Sequence, residues 1–263
     1  MDQLTQRSAP PRSPSAGPGR WAVRWQPAAE ARLRLFCLPH AGGGAAVYRH
    51  WAHRLAPDVE VVAIRLPGRE TRLAEPPLRR VTDIVTALVA DVEPWLDRPH
   101  AWFGHSLGAL VAFETCQALR RARLPEPARL FVSSRLAPHL PARERPVHGA
   151  PLHDFIGRLR ELNGTPPDIL ADHATLVSLL PMLRADFAAA ETYAYRPASP
   201  LDCPISVYGS LGDPFVTIPG LHAWQQHTSA HFGIKIFSGD HFFLHQPSHP
   251  VLSLIADVLG RAA

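Results

Sequence analysis

Gly104-His105-Ser106-Leu107-Gly108 sets a serine between two glycines at a spacing that suits a nucleophile. By chance a Gly-x-Ser-x-Gly pattern falls in roughly one chain in ten of this length, so its context decides its weight. Here His100-Ala-Trp102-Phe103 reads as a short strand directly before it, and Leu107 to Leu119 as an apolar helix directly after. A strand that runs straight into a helix turns so tightly that side chains at the flanking positions would collide, which calls for glycine. The turn lifts the hydroxyl out of the sheet, and the helix N-terminus behind it favours developing negative charge. The competing reading is a glycine-rich turn with an N-cap serine. Ser210, in Gly209-Ser210-Leu211-Gly212, lacks the pattern because Tyr208 stands where the first glycine is needed.

A serine hydroxyl is a poor nucleophile until a base takes its proton. The chain has 15 histidines, so position must choose among them. His241 follows a strand-like run ending near Phe237 and precedes the terminal helix. That places it at a strand's C-terminal end, the edge that must also hold Ser106. His245 and His249, near Pro247 and Pro250, suit a surface loop or a helix cap, and His231 falls at the opposite edge. For an acid in the chain order Ser…Asp…His, Asp213 follows a strand ending near Gly209. Asp202 precedes that strand, and Asp240 adjoins His241, from which its side chain should diverge. Asp213-Pro214 also reads as a turn able to hold a carboxylate still. In such a set His241 takes the serine proton and returns it to the leaving group, while Asp213 fixes the imidazole tautomer. The oxyanion needs two preset donors. The backbone N–H of Leu107 is one by the geometry of the turn, and the loop His40-Ala41-Gly42 offers the N–H of Ala41 as the other. His40 itself reads as a loop-shaping side chain.

These residues need a sheet to hold them. Trp21-Ala-Val23-Arg-Trp25 alternates and reads as an early edge strand. Leu33–Leu38, Val59–Ile64, Arg129–Ser133, Pro204–Tyr208 and Ile234–Phe237 read as further strands. Helical spacing marks about 46–55, the face Ile84, Leu88, Val92 and Trp95, and about 250–259. Strands alternating with helices imply βαβ units and a mostly parallel sheet flanked by helices. The alternation breaks between about 138 and 199. There Leu152–Leu162 and Leu176–Tyr193 look helical, with no convincing strand, which gives an insertion of ~60 residues that could cap the sheet edge. Residues 1–20, rich in Pro, Ser, Gly and Arg, read as a disordered leader. Residues 21–263 then form one domain, with its core in 21–137 and 200–263.

Composition narrows the classes. Charged residues make up 19% and hydrophobic ones 46%, which suits a packed core and argues against disorder. The net charge of +4 is carried almost wholly by arginine, with Lys235 the single lysine. It speaks to association and not to fold. No basic stripe with interleaved aromatics points to nucleic acid. No run of ~18 apolar residues would span a membrane, and no apolar signal segment opens the chain. Cys37, Cys116 and Cys203 are odd in number and far apart, so buried thiols are expected, in strand-like runs for Cys37 and Cys203. No metal cluster or nucleotide loop is visible, and no cofactor is expected. A cytoplasmic protein follows.

The motif set resembles the stand-alone type II thioesterases of polyketide and nonribosomal peptide synthases, within the α/β-hydrolase superfamily. The resemblance rests on Pro39–Gly43, Leu66-Pro67-Gly68-Arg69-Glu70, Gly104–Gly108, Leu183-Arg184-Ala185-Asp186-Phe187, Gly212-Asp213-Pro214 and Gly239–Phe243, in that order from about Trp21 onward. It implies an α/β-hydrolase fold whose insertion is a mobile helical lid over the acyl pocket. It implies hydrolysis of acyl thioesters held on the phosphopantetheine arm of an acyl or peptidyl carrier protein, releasing aberrant or stalled groups. By position it gives Ser106 as nucleophile, Asp213 and His241 as partners, and Ala41 and Leu107 as oxyanion donors. Arg65, Arg69 and Arg72 are then candidates to meet an acidic carrier, though for any single arginine a solvated loop, with Arg69 paired to a local carboxylate, is the simpler reading. Phe187, Tyr193 and Tyr195 are candidates to contact the acyl chain, although their spacing fits ordinary helix packing just as well. The triad alone does not separate a thioesterase from a carboxylesterase or lipase, or from an acyltransferase or cyclase. An intact triad argues against a non-catalytic carrier-binding module.

Overall fold

The computed structural model describes residues 20–245 and 249–260. The leader expected over 1–20 lies outside them except for Arg20. Along the chain run β1 (Ala22–Val23), β2 (Leu33–Leu38), α1 (Arg49–Leu55), β3 (Val59–Ile64), α2 (Val81–Val92), β4 (His100–His105), α3 (Leu107–Ala122) and β5 (Arg129–Ser133). Then come α4 (Leu152–Leu162), α5 (Pro167–Ala171), α6 (His173–Glu191), β6 (Ile205–Ser210), α7 (Ile218–His222), β7 (Phe232–Phe237) and α8 (Val251–Gly260).

Among the described residues seven strands form one sheet in the order β1-β3-β2-β4-β5-β6-β7. Every pairing is parallel except that of β1 with β3. After β2 the chain goes outward to β3, then crosses back so that β4 lies on the other side of β2. Such a reversal leaves a crevice at the C-terminal ends of the two diverging strands. The loop His40–Gly44 and the turn at Ser106 flank that crevice. Register brings their anchors level, with Leu38 opposite Gly104 and His105 opposite Ser133.

Alternating side chains of the strands fill both faces. Phe36, Trp102 and Leu130 pack with α2 and α3 on one side, and Leu35, Phe103 and Phe131 join residues of α1 and α8 on the other. Each such side chain contributes about 1.5–3 kcal/mol by leaving water, so the sheet is a stiff base for the loops at its edge. A third, smaller cluster lies inside the insertion, where Phe155 and Leu159 of α4 meet Met182, Leu183 and Phe187 of α6.

Several local expectations shift. The alternation around Trp21–Trp25 yields only a two-residue strand, because β1 is an edge with one neighbour. The helix expected from Ala46 opens as a 3-10 turn over Ala45–Tyr48 before α1. The second helix of the insertion starts three residues earlier than its apolar spacing indicates, since the Asp172 carboxylate accepts from the Ala174 N–H and caps it. The short α5 has too few residues to show a period. Cys203 precedes β6 instead of lying in a strand, and all three cysteines are buried and free. No helix among the described residues is long and apolar enough to cross a membrane.

Candidate active site

Ser106 ends the run of β4 into α3 with φ +55° and ψ −113°. That left-handed conformation costs a non-glycine residue about 1–3 kcal/mol and persists only where neighbours enforce it. Here the Ser106 N–H donates to the Ser133 carbonyl at 2.8 Å, and its carbonyl accepts from Ala109 at 3.1 Å. Its hydroxyl makes no capping bond to the helix it precedes, so the N-cap explanation of this serine fails. The two glycines are required sterically. A Cβ on Gly104 would lie 2.1 Å from the Gly108 carbonyl oxygen, and one on Gly108 would lie 2.3 Å from that of Leu38.

Gly108→Ala is therefore expected to push α3 away from the end of β2, the strand that leads into the His40–Gly44 loop. The expected cost is about 1–3 kcal/mol of stability, with loss of Ser106 labelling by a fluorophosphonate. Thermal melts alongside labelling check it. A variant that melts and labels like the parent contradicts this account of the turn.

Asp213 and His241 stand on loops beyond β6 and β7 and are brought together as expected. His241 Nδ1 lies 2.7 Å from Asp213 Oδ2, and both side chains are buried. The other carboxylate oxygen of Asp213 accepts from the Phe215 N–H at 2.9 Å, two residues on, past Pro214. The two loops are stapled to each other: Gly212 N–H donates to the Gly239 carbonyl at 2.9 Å, and the Ser210 hydroxyl to that of Asp240 at 2.6 Å. Ser210 is thus a fastener. Asp240 turns away from the imidazole, accepting from the Phe242 N–H and from Asn163 of the insertion. Because the Asp213 carboxylate only accepts, Nδ1 of neutral His241 carries the proton and Nε2 keeps its lone pair.

Ser106 and His241 line one cavity of about 590 Å³, a size suited to a small organic group. Ala41 and Gly42 line it from the β2 side, and Met182 and Phe187 from α6. Tyr193 and Tyr195 line it too, although the Tyr193 hydroxyl is committed to Glu114 at 2.7 Å. Around its base, loop amides are spoken for one by one. The Gly42 N–H goes to Asp186 and the Gly43 N–H to the His40 carbonyl, which leaves Ala41 the N–H that neither of these bonds takes. Leu107, as the first residue of α3, has no helical acceptor for its own N–H.

Two buried histidines frame this floor. His105 bonds through Nδ1 to the Ser133 hydroxyl, and the His40 ring meets the Phe242 ring edge-on. Burial, reinforced by neighbouring histidines, holds both well below the ordinary histidine value, so they are neutral shape-setting groups. Burial likewise brings His227, bonded to His139 at 2.7 Å, down to about 4. A histidine depressed in the fold takes up its proton only when the chain unfolds, so the unfolded state binds more protons once the pH falls below 6.5. Stability is therefore expected to decline as pH drops from 6.5 toward 4.5, above the range where carboxylates such as Glu60 titrate. The slope approaches about 1.4 kcal/mol per pH unit for each such histidine. Thermal melts across that window read it, and a flat melting temperature contradicts it.

The arginine loop differs from expectation. Arg69 is buried and pairs with Asp186 of α6, far away in sequence and not a local carboxylate. Arg72 pairs with Glu75 and lies over the Trp21 ring, while Arg65 pairs with Glu70. None of the three is left free to greet a partner. Exposed arginines do line the cavity, but they are Arg143 and Arg145, on the segment after β5. Sequence reasoning gave Asp186 no role, since nothing local signals a partner so distant.

A family model for the thioesterase domain matches residues 33–259. The chain belongs to the thioesterase family. It is 40% identical to the gramicidin S biosynthesis protein GrsT of Aneurinibacillus migulanus over 240 residues, 91% of this chain and 94% of that protein. It is 40% identical to the thioesterase PikA5 of Streptomyces venezuelae over 242 residues, covering 92% and 86% of the two chains. Among solved structures, the type II thioesterase BorB from the borrelidin biosynthetic cluster superposes with a TM-score of 0.84 at 36% identity, covering 93% of this chain and all of that one. The thioesterase family thus supplies the fold seen here, with its parallel sheet between helical layers.

Proposed function

We propose that this thioesterase hydrolyses aberrant or stalled acyl thioesters on the phosphopantetheine arm of a carrier protein, through an acyl-enzyme on Ser106. The observation that carries the reading is the Asp213–His241 hydrogen bond at the wall of the same cavity as the Ser106 hydroxyl. The Ser106 oxygen attacks the thioester carbonyl as His241 Nε2 takes its proton. Asp213 holds the imidazole and stabilises its charged form. The negative charge that forms on the carbonyl oxygen is met by the N–H groups of Ala41 and Leu107. Collapse expels the pantetheine thiolate, which accepts the proton from His241. Water, activated by the same base, then releases the acid and frees Ser106. A thiol of pKa ~8.5 leaves more readily than an alkoxide, so little is asked of the acid.

Support for the carrier-bound substrate comes from the relatives' printed roles in gramicidin S and borrelidin biosynthesis. The exposed Arg143 and Arg145 suit an acidic partner or the phosphate of the arm. The helical insertion 138–199 acts as the lid that shapes the acyl pocket, and the buried free cysteines suit the cytoplasm. Product analysis tests the reaction type. The acyl group of an acyl-carrier substrate is expected to appear as free acid in water, and its appearance instead as an ester or amide of an added alcohol or amine would make the chain a transferase.

A further inference from the structure

Arg69 and Asp186 form a forked ion pair, with Nη1 and Nη2 of the guanidinium 2.8 and 2.7 Å from the two carboxylate oxygens. Both residues are sequestered, Asp186 at 1% and Arg69 at 5% exposure. Stability alone is a weak reason to bury such a pair, because the desolvation of two charges offsets most of their attraction. What sets this pair apart is its other bonds. The Asp186 oxygen that takes Nη1 also accepts the Gly42 N–H at 2.7 Å, and Nη1 also donates to the Gly43 carbonyl at 2.7 Å. The pair thus grips the Gly42-Gly43 segment at both ends, by the N–H of the Ala41–Gly42 peptide and by the C=O of the Gly43–Gly44 peptide.

The gripped segment follows directly on Ala41, whose N–H is the second oxyanion donor of the proposed reaction. Gly42 has φ +82°, and a Cβ there would lie 2.6 Å from Leu183 of α6, so the loop is pressed against the helix that carries Asp186. The Gly43 N–H closes the turn onto the His40 carbonyl at 2.9 Å. With both flanks of the turn fixed, the Ala41 amide has little freedom to tilt. Oxyanion donors act through such preset aim, and small misplacement costs them most of their effect. Two of the motif segments, Leu66–Glu70 and Leu183–Phe187, meet in this one contact.

We propose that Arg69 and Asp186 are positioning residues for the oxyanion hole, aiming the Ala41 N–H by holding the Gly42-Gly43 segment at both ends. The inference rests on the proposed reading of Ser106 and Ala41. Asp186→Asn is expected to lower kcat about 10²-fold, the loss seen when one oxyanion donor is removed, with KM changed little. Affinity for an alkyl boronic acid, whose tetrahedral adduct on serine carries the oxyanion, should fall in step with kcat/KM. Affinity for a non-hydrolysable thioether analogue of the substrate should hold. Where Asp186→Asn folds poorly, the paired variant Arg69→Met with Asp186→Leu removes both charges at similar volume. It is expected to melt near the parent and to show the same kcat loss. A folded paired variant with parental kcat overturns the proposal, as does a fall in boronate and thioether affinity by the same factor. Each variant is assayed on a simple aryl acetate as well as on an acyl-carrier protein. Failure of the parent on the carrier alone counts against the proposed substrate and leaves the positioning role tested on the ester.

Discussion

Ser106→Ala is expected to lower turnover by a factor on the order of 10⁶, with the fold intact. Only the oxygen is lost. The hydroxyl caps no helix, and the contacts that hold the turn use the main chain, through the Ser133 carbonyl and the Ala109 N–H. The variant should therefore melt within a few degrees of the parent. The Ala41 and Leu107 amides and the cavity remain, so the residual rate should still exceed that in water by ~10³–10⁴. Steady-state release of acid from an acyl-carrier substrate gives the number. Retention of most activity would remove Ser106 as nucleophile and leave the strain at that position without a purpose.

Asp213→Asn is expected to cost about 10⁴ in kcat while leaving the loop in place. An asparagine keeps an oxygen for the Phe215 N–H, so the turn at Pro214 stays formed. Its NH₂ would then face His241 Nδ1, now 2.7 Å from a carboxylate oxygen. A donor there drives the ring to the other tautomer, with the proton on Nε2, where a base must have a lone pair. The imidazolium formed during attack also loses its counter-charge. KM should hardly move, since Asp213 is buried behind the ring and does not line the cavity. A loss below tenfold would show that the Asp213–His241 contact is a structural fastener only.

Much of this site is written in local chain chemistry. The tightness of the β4–α3 turn leaves glycine as the only residue able to stand at 104 and 108, so the pattern is visible wherever the fold demands it. Strand direction did the rest. Once β6 and β7 are read as parallel strands, Asp213 and His241 fall at the ends that Ser106 occupies, and Asp202 and His231 do not. The partners of the arginines were not legible. Arg69 finds Asp186 across 117 positions, in a contact that depends on how α6 lies over the β2 loop. Helical spacing reports which face of α6 is apolar, but not which buried carboxylate it carries to which loop. The same holds for β1, where alternation over five residues gives two paired ones because only one neighbour strand exists. The Asp172 cap and the short α5 are likewise local features of a few residues, too brief for a periodic signal.

The most direct test of the account is a matched pair of substrates given to the parent chain, with Ser106→Ala as control for both. One is a short acyl group on the phosphopantetheine thiol of a carrier protein, and the other is the same acyl group as a simple oxygen ester. Fast release of free acid from the carrier, slow cleavage of the ester and neither with Ser106→Ala is the predicted result. Fast cleavage of the ester with the carrier left untouched would contradict the account, keeping the triad and discarding the carrier-bound thioester as its substrate.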